Sequence, residues 1–123
     1  MGVQRVVRHG PAAGVDWPRI LERLGTFGES VSLRMIDGLP AFPDEVPDPA
    51  WRELRLSFPS GMVTLRRVPE GSACIVWGNA DQALLCARDR LCWAYADATG
   101  GVVEADDGSA LSAAEFAAAY LRV

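Results

Sequence analysis

The polar and apolar pattern changes period twice between residues 51 and 105. Residues 51–58 alternate, with Leu54, Leu56 and Phe58 on one side and Glu53, Arg55 and Ser57 on the other. That period of two is the signature of a half-buried strand. Pro59-Ser60-Gly61 reads as a hairpin turn and residues 62–68 as the return strand. A second turn spans residues 69–72. Residues 73–77, Ala-Cys-Ile-Val-Trp, are apolar at every position, the pattern of a central strand covered on both faces.

The period then changes to that of a helix. Asn79 is expected as its N-cap, with Gln82 in the position that completes a capping box. Ala80, Leu84, Ala87, Leu91, Ala94, Tyr95 and Ala98 fall in one broad stripe, and Gln82, Asp89, Arg90 and Asp97 on the opposite arc. Thr99-Gly100-Gly101 ends it. Val102 and Val103 predict a brief strand, and Asp106-Asp107-Gly108 a turn. Ser112 and Glu115 form a capping box for a last helix that buries Phe116 and Tyr120.

The first fifty residues are less regular. Residues 3–8 suit either a short edge strand or a frayed end, and a Gly/Pro/Ala segment follows from Gly10 to Gly14. Asp16 can cap a helix over residues 17–24 with Pro18 in its first turn, ending at Gly25. Residues 31–36 suit a strand. Residues 37–50 hold four prolines and four acids, which exclude a helix or a central strand and predict an ordered surface loop. The expectation is one α+β domain over residues 1–123, in the order α-β-β-β-β-α-β-α. Its sheet should hold about four to five mostly antiparallel strands with one parallel addition after the long helix, and two to three helices mainly on one face.

Composition narrows the chemistry. The chain has 123 residues, half of them apolar, enough for one core without metals or disulfides. No apolar run approaches the ~20 residues of a membrane span, and residues 1–6 lack a signal-peptide stretch. A cytoplasmic protein that binds no membrane is expected. Twelve Arg with no Lys, eighteen Ala and twelve Gly suggest a G+C-rich bacterial genome. Residues 1–70 balance nine Arg against nine acids, whereas residues 71–123 set three Arg against seven acids. That acidic half repels phosphate backbones, so no nucleic-acid partner is expected, although Arg52, Arg55, Arg66 and Arg67 cluster on the strands.

Catalytic and cofactor motifs are not found. His9 is the only histidine, and no cysteine pair has CxxC spacing, so no metal site is expected. Neither GxGxxG nor a P-loop occurs, and no cofactor is expected. Glu104, Asp106 and Asp107 lack the spacing of a calcium loop. Cys86 and Cys92 lie about 120° apart around the helix and about 9 Å along it, too far for a disulfide. With Cys74 they read as buried reduced thiols. Trp93 stands out because it lies in the centre of the polar arc, between Asp89 and Asp97. Trp51 poses the same question more weakly.

These features favour a non-enzymatic bacterial module, such as an immunity protein or small adaptor. It would bind a protein partner through an acidic surface with an aromatic anchor, at Trp93, Asp89 and Asp97. One alternative is a small enzyme or small-molecule binder with a pocket between sheet and helix, using Arg66 or Arg67 for an anion and Cys86 as nucleophile. Another is a self-assembling subunit of a larger complex.

Overall fold

The chain is described here by a computed structural model over residues 2–10 and 14–121, so residues 11–13 of the expected Gly/Pro/Ala segment lie outside it. It runs β1 (Gly2–Arg8), α1 (Trp17–Gly25), β2 (Ser32–Ile36), β3 (Leu39–Pro40), β4 (Glu53–Phe58), β5 (Gly61–Val68) and β6 (Gly71–Trp77). It continues through α2 (Gln82–Thr99), β7 (Val102–Glu104), β8 (Ala110–Ser112) and α3 (Ala113–Tyr120). The strands form one eight-stranded sheet in the order β3-β2-β4-β5-β6-β1-β7-β8. Every pairing between neighbours is antiparallel.

The expected sheet of four to five strands with a parallel addition is therefore wrong in two respects. First, β3 and β8 are two- and three-residue strands, too short to carry a readable period. Second, β1 is not an edge strand. It pairs with β6 along its whole length and with β7 at Val7 and Arg8. The crossover from β6 through α2 to β7 does return the chain in the same direction. The slot beside β6 is already filled, because β1 lies antiparallel between the two. Gln4, Arg5 and Arg8 make β1 look too polar for the interior, yet Val7 is fully buried and Arg5 nearly so.

The central hairpin follows its pattern closely. Phe58 pairs with Gly61 across Pro59 and Ser60, a two-residue loop. Gly61 has φ +141°, a conformation that suits glycine. Leu54, Leu56, Phe58, Val63 and Leu65 point into one core cluster with Val7, Leu33, Cys74, Val76 and Val103. All three helices contribute to that same cluster through Ile20, Leu24, Leu91, Tyr95 and Phe116. On the other sheet face Ala73 and Ile75 are also buried. There Trp77 lies over β5, its Nε1 donating to Thr64 Oγ1 at 3.2 Å.

The helix ends follow local chemistry. Asp16 caps α1 by accepting from Arg19 N–H, and Ser112 and Glu115 form the expected capping box on α3. The cap of α2 is Asp81, which accepts from Leu84 N–H at 2.9 Å, and not Asn79. No described helix is long and apolar enough to cross a membrane.

Gly71 opens β6 where β1 comes closest. A Cβ added there would collide with the Val7 carbonyl oxygen, which leaves no room for any other residue. Gly71→Ala should cost about 1–3 kcal/mol. A thermal melt should show this as a fall of roughly 4 °C per kcal/mol. An unchanged midpoint would mean that β1 does not seat against β6 as described.

Candidate functional site

The arc of α2 that looked polar and exposed is covered. Trp93 is partly buried, with its ring edge-on to Phe27 at 5.2 Å. Asp97 meets Arg23 at 2.9 Å and Arg19 at 3.2 Å, both from α1. Arg90 meets Glu29 at 2.9 Å and lies over Phe27. Arg90 and Asp97 therefore face partners on α1 and the segment after it. Trp51 is also buried, beneath the Arg67 guanidinium at 4.1 Å. Of the expected site residues, Trp93 and Asp97 lie against the α1 region, whereas Asp89 points elsewhere, into a cleft.

That cleft, about 630 Å³, opens between β1, the first half of α2, the turn after β7 and the end of α3. Arg5 forms its inner wall. Its Nε donates to Asp89 Oδ1 (3.0 Å), Nη1 to the Glu104 carbonyl (2.8 Å) and Nη2 to Asp106 Oδ1 (2.7 Å). The same guanidinium lies over Tyr120 (4.7 Å) and Phe116 (5.3 Å), which stack on each other. Arg88 adds Nε and Nη2 to Asp89 Oδ1 at 3.1 and 2.9 Å. Arg5 is 7% and Arg88 6% exposed, so these are buried charges that need pairing. Burial alone would lower the Arg5 pKa, but Asp89 and Asp106 outweigh it and hold the guanidinium above its ordinary value. With two Arg and two Asp, the cluster is electroneutral.

Sequence reasoning passed over both arginines, although each left a signal. Arg5 stands between Val3 and Val7 on one face of β1. Arg88 falls between Leu84 and Leu91 on the apolar stripe of α2. A charged residue on a buried stripe announces either an ion cluster or an error in the pattern.

A second polar chain lies at the other end of α2. Ser72 Oγ donates to Tyr95 Oη (2.8 Å), which meets His9 Nε2 at 3.0 Å. His9 is thus held against the buried Tyr95. Ser72 and Tyr95 are fully buried, however, and burial pushes the Tyr95 hydroxyl pKa up against the opposing Ser72 hydrogen bond. Among the described residues the Ser72 hydroxyl is enclosed. Cys74 and Cys92 are buried, and Cys86 is half-buried on the cleft wall. Burial first, then the neighbouring Cys74, pushes the Cys92 thiol well up. Arg66 and Arg67, considered for an anion, lie apart. Arg66 binds Glu53 and lies over Trp77, and Arg67 donates to the Pro49 carbonyl. Among the described residues, no group of three or more His, Cys, Asp or Glu is placed to hold a metal.

Among the described residues, the segment from Leu39 to Val46 holds the three most exposed large apolar side chains. Leu39, Phe42 and Val46 are 70%, 75% and 62% exposed. The backbone beneath them is pinned. Ala41 N–H bonds the Arg34 carbonyl, and Glu45 both accepts from Phe42 N–H and donates its own N–H to the Phe42 carbonyl. Asp37, at φ 51°, accepts from Arg52 and Glu53 N–H, and those bonds depress its pKa. Asp44, Glu45 and Asp48 accompany the apolar residues, and no Arg occurs between residues 37 and 50.

The chain matches no protein-family model, no curated protein and no solved structure. Its function must be argued from this geometry.

Asp89→Asn should destabilise the fold by about 3 kcal/mol, because two buried guanidinium groups lose their shared carboxylate. Denaturant titration measures this, and a loss under about 0.5 kcal/mol would place Asp89 in the class of surface ion pairs. Thiol alkylation of the folded protein should label Cys86 and spare Cys74 and Cys92 until denaturant is added. Peptide mapping by mass spectrometry reads the order.

Proposed function

We infer that this chain is a non-enzymatic protein-interaction module whose acidic Pro-rich loop is the contact surface, with Phe42 as the aromatic anchor. The observation that carries the reading is the exposure of Leu39, Phe42 and Val46 together on one hydrogen-bonded loop. Exposed apolar side chains that occur close together mark a contact site more strongly than the less exposed Val3, Met62 and Trp77, and aromatic anchors dominate binding energy at interfaces. The loop is already ordered, so little conformational entropy is lost on binding. Its acids suit a partner with a basic rim around an apolar socket, and that complementarity speeds encounter and fixes orientation. The acidic surface with an aromatic anchor thus has support at Phe42, whereas Trp93 is occupied by Phe27.

The test compares wild type with Phe42→Ser as bait in lysate from the source organism. Phe42 is exposed, so the substitution should change stability by less than about 0.5 kcal/mol. The expected result is one protein retained by wild type, lost by the variant, and released as salt is raised. Equal capture by both baits would remove the loop from the interface. A prominent partner released only by denaturant would argue against the charge complementarity.

A further inference from the structure

A basic rim around an apolar socket occurs on this chain itself, on the sheet face turned away from the helices. Leu54, Leu56, Val63 and Leu65 enter the core, so the alternate residues Arg55, Met62, Thr64 and Arg66 face the opposite way. Together with Trp77 these four line a hollow of about 510 Å³. Met62 and Trp77 are both about half exposed. The indole is held in place, because its Nε1 donates to the nearly buried Thr64 and Arg66 lies over its ring. A fixed aromatic wall loses little entropy when it is covered.

Charge marks the hollow as well. Arg55 and Arg66 are each about half exposed. Glu53 is the one acid on this face of β4, β5 and β6, and it lies 2.8 Å from Arg66 and 3.9 Å from Arg55. One carboxylate between two guanidinium groups leaves the hollow positive, in a chain of net charge −4. The Phe42 loop is its opposite. Asp44, Glu45 and Asp48 are exposed there. Among the described residues none of the three pairs with an arginine.

No residue of the loop lines the hollow, so the two surfaces do not meet within one chain. Two open sheet faces packed on each other would set arginine against arginine, which is costly. Loop against hollow sets acids against arginines, and a phenyl ring against an indole and a thioether. A projecting patch and a pocket that complement each other on one molecule join copies of it.

We propose, building on the loop as contact surface, that its partner is a second copy of this chain, whose hollow at Arg55, Arg66 and Trp77 receives Phe42. The two arginines meet the loop carboxylates through charge-assisted hydrogen bonds.

Sedimentation velocity on the full chain over a wide concentration range tests this. The wild type should associate as concentration rises and return to monomer as salt is raised. Phe42→Ser removes the anchor, Arg55→Glu reverses the rim and Met62→Ser empties the socket wall. All three positions are exposed, and circular dichroism should show each variant folded. Each should weaken association by about tenfold or more. An equimolar mixture of Phe42→Ser and Arg55→Glu should form a one-to-one complex that neither forms alone, because the first keeps an intact hollow and the second an intact loop. No rescue in that mixture would overturn the proposal. So would undiminished association of both Arg55→Glu and Met62→Ser. A wild type that stays monomeric throughout would also overturn it, leaving the loop to a different partner and the hollow to another acidic ligand. Undiminished association of Phe42→Ser would remove the loop itself from the contact.

Discussion

The architecture depends on β1 lying between β6 and β7. It is laddered to β6 at every residue and to β7 at only two, so the C-terminal third is joined to the sheet through very few main-chain bonds. Arg5 makes up the difference. Where the β7 ladder stops, its guanidinium binds the Glu104 carbonyl and reaches Asp89 on α2 and Asp106 on the following turn. It also supports the Phe116–Tyr120 stack of α3. One side chain thus ties a strand, two helices and a turn. Its bond to Asp89 is enclosed, whereas Asp106 is exposed and that arm is screened by solvent; loss of Arg5 would leave Asp89 paired with Arg88 alone.

The same arrangement creates the cleft. Had β7 continued alongside β1 as far as Gly2, a main-chain ladder would have closed the gap. Instead, a side chain closes the upper part and the lower part stays open. The feature that secures the C-terminal third is therefore also the reason that an unladdered edge persists inside the sheet. Domains commonly blunt such edges with charge. Here the charge of Arg5 is directed inward to the ion cluster, and the Gln4 backbone is left available.

Legibility in the sequence followed the length of each periodic run. The β4–β5 hairpin, β6, α2 and the α3 capping box could be read from Leu54 to Phe58, from Ala73 to Trp77 and from Ser112 to Glu115, because packing there agrees with local pattern. β3 and β8 could not, since two or three residues hold no period. The topology failed at β1 for a different reason. Its place is set by pairing across some seventy residues with β6, and nothing local distinguishes an inserted strand from an edge. The polar arc of α2 failed in the same way. A helical wheel separates polar from apolar residues but does not know what will cover them, and Arg19, Arg23 and Glu29 arrive from a different part of the chain to pair with it. The informative signals were violations of pattern. Arg5 and Arg88 on apolar stripes marked the ion cluster more directly than Trp93 marked a surface.

The two candidate surfaces also differ in what a ligand would do to the fold. β3 and β1 are five strand spacings apart in the sheet order, or about 24 Å. The Phe42 loop hangs on a two-residue edge strand and its own turn bonds, so a partner there touches nothing that the core depends on. The cleft at Gln4 instead lies where the β7 ladder stops, beside the arginine that holds the C-terminal third in place. β7, β8 and α3 are attached there through β1, Arg5 and α2 together. The sheet between the two surfaces is continuous, with one register shift between Leu33 and Met35.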